Sequence, residues 1–123
     1  MKTTSLLLLC LAINLTSFSQ DFDKRLEKTY SKSQLITMKN ENLAQFNMLN
    51  YALDNALYVI EMPVEKMSQI QGTIAYDQKN KATFLELGLT ITKENQYFKI
   101  KDTNKVLVVK SEWLLMNELN SRR

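Results

Sequence analysis

The sequence predicts an α+β domain in which an N-terminal helical segment packs on an antiparallel sheet of four to five strands, with a short C-terminal helix as a further element. Three observations predict it. Residues 21–56 contain neither Gly nor Pro and place apolar side chains at steps of three and four. From residue 57 the composition turns to β-branched and aromatic residues, and farther on the apolar period falls to two. Polar clusters at 77–80, 93–96 and 102–104 separate the strand-like runs as turns do.

The amino end has the three parts of a secretory signal. Lys2 supplies the positive end, the run Leu6 to Ile13 supplies an apolar core, and Ser17 and Ser19 set small side chains where a signal peptidase must accommodate them. The apolar run is well short of the roughly 20 residues a bilayer-spanning helix needs. Cleavage is expected between Ser19 and Gln20, leaving residues 20–123 as one small domain in the periplasm or outside the cell. Lipidation of Cys10 is the competing reading, and its context is poorer because Leu9, not a small residue, precedes it.

The composition excludes whole classes of chemistry. Cys10 is the only cysteine and falls within the signal, so the processed domain is expected to hold no disulfide. The chain has no histidine. Without His or a retained thiol there is no Ser-His-Asp or Cys-His catalysis and no usual zinc site. The only glycines, Gly72 and Gly88, are too far apart for a phosphate loop. No cofactor and no metal are therefore expected. The net charge of +3, one unit of it on Lys2, is spread over interleaved acids and bases, which argues against nucleic acid as a partner.

Along the domain, Phe22, Leu26 and Tyr30 recur at steps of four and predict a short amphipathic helix. Ser31 or Ser33 caps a second turn carrying Leu35, Ile36 and Met38. Asn40 is the expected N-cap of the main packing helix, whose inner stripe is Leu43, Phe46, Leu49, Leu53 and Ala56.

Leu57–Ile60 reads as a short strand that Pro63 ends. Ile70, Gly72, Ile74 and Tyr76 alternate on one face, and Leu85, Leu87, Leu89 and Ile91 do the same after the 77–80 turn, which predicts a hairpin. In the next run Phe98 and Ile100 face one way and Tyr97, Lys99 and Lys101 the other. Val106–Val109 lacks polar interruption and reads as a central strand covered on both faces; were it an edge, another copy could pair with it. Ser111 and Glu112 open either a final helix, with Leu115, Leu119, Trp113 and Met116 against the sheet, or one more strand.

This order of elements resembles cystatin-like and nuclear-transport-factor-like folds, which host enzymes and binders alike. The Ser17-Phe18-Ser19-Gln20 export end and the Tyr97–Trp113 segment resemble those of small exported proteins of Bacteroidetes-type bacteria. That resemblance implies an envelope or secreted location and brings no activity and no functional residue.

Two kinds of site remain. Carboxylates hydrolyse glycosides without His or metal when two of them face each other with different pKa values, and Asp54, Glu61 and Glu86 are the candidates, with envelope glycan as substrate. Tyr97, Lys99 and Lys101 instead form an aromatic and cationic strand face suited to binding an envelope protein or a small ligand, with Tyr51, Tyr58, Tyr76 and Trp113 as further aromatic candidates. The binding reading leads, because acids are common on surfaces and no spacing here is diagnostic of catalysis.

Overall fold

The computed structural model describes residues 22–122, so the expected signal peptide lies outside the described residues. The described residues begin with three helices, each opened by a side-chain cap. Asp23 caps α1 (Lys24–Glu27) by accepting from the Arg25 amide at 2.9 Å. Ser31 and Gln34 form a reciprocal capping box at the start of α2 (Lys32–Glu41), with bonds of 3.1 and 2.8 Å. Asn42 caps α3 (Leu43–Asn55) by accepting from the Gln45 amide at 3.2 Å. The expected cap, Asn40, lies instead inside α2. Asn42 carries the non-helical φ of −146° that separates the two helices, and its side chain satisfies an amide that α3 leaves unpaired.

Four strands follow: β1 (Leu57–Glu61), β2 (Gly72–Ile74), β3 (Gln96–Ile100) and β4 (Lys105–Val109). They lie in the order β1-β4-β3-β2. A single helical turn, α4 (Val64–Met67), stands between β1 and β2, and α5 (Glu112–Ser121) closes the described chain from its N-cap Ser111.

The architecture is α+β, but the sheet is mixed rather than an antiparallel meander. β4 pairs antiparallel with β1 and β3, whereas β2 runs parallel to β3. The expected hairpin of residues 70–76 with 83–91 does not form. Thr83 accepts from the Glu86 amide while Glu86 accepts from the Thr83 amide and hydroxyl, each at 3.2 Å. Leu89 N–H then reaches Phe84 C=O at 2.9 Å and Gly88 N–H reaches Leu85 C=O at 3.0 Å, around a Gly88 φ of +73°. These bonds make a capping box and a Schellman close, so residues 83–88 wind into one helical turn where an extended strand was expected. Phe84, 2 % exposed, is thereby driven into the helical core. With no strand between them, β2 and β3 are joined by a crossover, which is what parallel neighbours require.

β4 is central, as its uninterrupted apolar run predicts. Val106, Leu107, Val108 and Val109 are all 0 % exposed, and full burial of each such side chain contributes about 1.5–3 kcal/mol at most. Paired residues share a face, so Leu57, Val59, Leu107, Val109 and Phe98 point one way and Tyr58, Ile60, Val106, Val108, Tyr97 and Lys99 the other. Leu57 joins the main core of Leu26, Leu35, Phe46, Leu49, Leu53, Phe84 and Leu115. On the second face Met67 from α4 clusters with Val106 and Val108, flanked by Ile60, Met62 and Ile70.

In α5 the inward residue is Leu115, 0 % exposed, with Met116 beside it, and the helix packs on α3. Trp113 does not dock on the sheet. It sits two residues before Leu115, about 200° around the helix, and is 70 % exposed.

Candidate functional site

The register of the three strands β1, β4 and β3 builds the candidate surface. Tyr58 and Tyr97 both pair with Val108, one from each side, so two tyrosines straddle one valine in a single row. Neighbouring strands lie about 4.8 Å apart, which spaces the two tyrosine Cα positions by roughly 10 Å. Val108 is 0 % exposed while Tyr58 and Tyr97 are 40 % and 45 % exposed. Two partly wet tyrosines thus flank an apolar centre that is itself buried, in the cluster that Met67 of α4 forms with Val106 and Val108. Lys99 stands in the next row, between Val106 and Thr73.

The Tyr58 wall is held from α5. Lys110 Nζ lies 5.7 Å from the Tyr58 ring centroid and donates to both carboxylate oxygens of Glu118 at 2.9 Å. The Tyr51 hydroxyl donates to the same Glu118 carboxylate at 2.9 Å, and the Arg122 guanidinium lies 5.4 Å over the Tyr51 ring. Burial pushes the Tyr51 phenol up, and its bond to Glu118 pushes it further. Burial also pushes the Glu118 carboxyl up, but the bonds from Lys110 and Tyr51 outweigh it and hold the group below its ordinary value. The chain Tyr58–Lys110–Glu118–Tyr51 thus ties the open sheet face to α3 and α5.

The structure brings together part of the expected binding set. Tyr97 and Lys99 share the open face, with Tyr58 and Lys110 joining them across the sheet. Lys101 lies beyond the end of β3, where its amide bonds to Ile74 C=O at 2.9 Å. It lines a depression of about 440 Å³ with Tyr76, Asp77, Asn80 and Asp102. The Tyr58 partnership was invisible in the sequence because strand order and register, not spacing, create it. Nor does any local pattern announce Lys110 with Glu118, which meet only once α5 has folded back.

The three carboxylates are placed apart in role. Asp54, at the end of α3, accepts from Arg25 at 2.8 Å, and that guanidinium holds its carboxyl below the ordinary range. Arg25 also grips Asp23, whose carboxyl it lowers to about 2. Glu61 is exposed at the end of β1, opposite Lys105, in a depression with Met62, Pro63 and Asn104. Glu86 is engaged with Thr83. Asp54 lines a different depression, with Leu53, Leu57, Tyr76, Lys81 and Ala82.

Among the described residues no group of three or more His, Cys, Asp or Glu side chains could hold a metal ion. No helix among them is long and apolar enough to cross a membrane. Comparison with protein-family models, curated proteins and solved structures finds no match for this chain.

Proposed function

We propose that residues 20–123 form an exported, non-enzymatic binding domain that docks a protein of the cell envelope on the open face of the sheet. The observation that carries this reading is the row Tyr58–Val108–Tyr97, in which two partly exposed aromatics stand on either side of a buried valine that fixes their spacing. Tyrosine is the residue type that protein interfaces use as an anchor, because it brings large area at low entropic cost and a polar tip. Charge selects the kind of partner. Neither Lys99 nor Lys101 has a carboxylate partner among the described residues, so a protein patch with an apolar centre and an acidic rim fits.

The hydrolase reading has less behind it. A general acid needs a raised pKa, and Asp54 is lowered by Arg25. Glu86 caps the turn at Thr83, and Glu61 lies in another depression from Asp54.

The test is capture from the organism's own envelope with the tagged, processed protein, recording intact mass and using two variants. A mass beginning at Gln20, with one partner lost on Tyr97→Ser and retained on Trp113→Ala, is the expected outcome. Retention of the partner by a Tyr58→Ser/Tyr97→Ser double variant, or an unprocessed mass, would overturn the reading.

A further inference from the structure

The outer edge of β1 carries an unfilled ladder. Lys110 N–H bonds to Ala56 C=O at 2.8 Å, which makes Ala56 and Lys110 a hydrogen-bonded pair. Antiparallel ladders alternate, so with Leu57 opposite Val109 the bonded pairs that follow are Tyr58 with Val108 and Ile60 with Val106. The N–H and C=O groups of Leu57, Val59 and Glu61 therefore point away from β4. None of them bonds to another described residue.

Sheets blunt such edges with lysine, proline, bulges or brevity. β2, the opposite edge, is blunted: it is 3 residues long and contains Gly72. β1 is 5 residues of Leu-Tyr-Val-Ile-Glu with no lysine, proline or bulge within it. An edge of this composition is built to be paired.

We propose that β1 pairs antiparallel with β1 of a second copy about a two-fold axis through Val59, joining the two sheets into one. The proposal rests on the unfilled β1 ladder and not on the docking reading above, although Tyr58 belongs to both. The strand is its own complement. Val59 meets Val59 of the other copy, and the outward groups of Leu57 meet those of Glu61, which completes the ladder without a register slip. On the open face Tyr58 meets Ile60 of the other copy and Ile60 meets Tyr58, two aromatic and β-branched cross-strand pairs of the favourable kind. Glu61 is the one charge in the strand, and antiparallel pairing sets the two Glu61 side chains at opposite ends, whereas a parallel pairing stacks them. Because β2 offers no comparable edge, the assembly closes as a dimer and does not grow into a fibre. The two-fold axis stands perpendicular to the sheet, so both Tyr58–Val108–Tyr97 rows end on the same side.

Sedimentation of the processed full chain over a wide concentration range, with amide exchange read residue by residue, tests this. The expected result is a dimer that dissociates on dilution. In the dimer the amides of Leu57, Val59 and Glu61 exchange at least about 100-fold more slowly than in the monomer, while those of Tyr58 and Ile60 are protected in both. Val59→Pro, which removes an outward donor and no bond to β4, is expected to leave a folded monomer. Should that variant fail to fold, the exchange pattern of the unaltered chain decides alone. A monomer at every concentration up to about 1 mM, a dimer whose Leu57, Val59 and Glu61 amides exchange freely, or a higher oligomer would overturn the proposal.

Discussion

Gly72 lies against the ring of Phe98, so closely that a Cβ built on Gly72 would fall 2.6 Å from the Phe98 Cδ1 atom. The two residues are partners in the parallel register of β2 and β3. Phe98 therefore packs over bare backbone, and the one parallel pairing in the sheet depends on that space. Gly72→Ala is expected to destabilise the domain by about 1–3 kcal/mol through overpacking. The change is read as a lower denaturant midpoint at unaltered slope. Phe98→Leu placed in the Gly72→Ala background should recover part of the loss, and a double-mutant cycle measures that coupling.

The turn at residues 83–88 depends on its two ends. Thr83 is 2 % exposed, and its hydroxyl both accepts from the Glu86 amide and donates to the Glu86 carboxylate. Thr83→Val keeps the shape and loses the cap, for an expected cost of about 1 kcal/mol. At Gly88 nothing lies within 4 Å of an added Cβ and φ is +73°, so Gly88→Ala reports backbone strain alone, about 1 kcal/mol, with Gly88→Asn milder. Glu86→Gln retains an acceptor for Thr83 and is expected to cost less than Glu86→Ala. Equilibrium unfolding of the five variants checks the order.

That turn also shows where the sequence is legible and where it misleads. Leu85, Leu87, Leu89 and Ile91 alternate as a strand would, yet Thr83-Phe84-Leu85-Glu86 is equally a capping-box pattern, and Gly88 stands where a helical turn ends. The period of two and the local cap chemistry point to different structures, and the cap chemistry wins because it buries Phe84 with its polar neighbours satisfied. The helices α2 and α3 and the central β4 were legible, since each rests on a contiguous pattern, whereas after Ser111 the sequence left a helix and a strand open and the structure forms the helix. Strand order was not. Nothing local shows that β2 runs beside β3 in the same direction, or that Tyr58 and Tyr97 flank Val108. Of the candidate surface, the sequence thus announced Tyr97 and Lys99 and left their partners across the sheet to the fold.

Arg25 ties α1 to the end of α3 by gripping Asp23 and Asp54, each at 2.8 Å. Both carboxyls lie below their ordinary value of 3.8 in the folded protein, Asp23 at about 2. Their contribution to stability is therefore present above pH 3.8 and drains away as the pH falls, for Asp23 down through about 2. The Asp54 side chain is 69 % exposed, so solvent screens the pair, and Arg25→Ala is expected to cost about 1 kcal/mol or less at neutral pH. The difference between the parent and Arg25→Ala should shrink on acidification from pH 4 to about 2. A difference that stays constant over that range would place the effect in lost packing of the arginine stem.

Tyr51, Glu118 and Lys110 couple the helices to the open sheet face, and the coupling has signatures at both ends of the pH scale. The Tyr51 phenol is raised above its ordinary 10.0, first by burial and then by Glu118. Its contribution is full below pH 10.0 and is lost as the pH rises through the folded value. Glu118 is lowered from 4.5, so its contribution is present above that pH and is lost as the pH falls. Glu118→Gln removes the charge that Lys110 and Tyr51 share. It is expected to cost about 1–3 kcal/mol at pH 7, because the Lys110 and Glu118 side chains are only 19 % and 30 % exposed and the bonds are charge-assisted. It should also move the Tyr51 titration back towards 10.0 without reaching it, since burial remains. Tyrosinate absorbance of each protein, minus that of its Tyr51→Phe counterpart, isolates the residue. If the Tyr51 midpoint does not fall in Glu118→Gln, burial alone raises it. The side-chain relay between α3 and the Tyr58 wall would then run through Lys110 packing without the shared carboxylate.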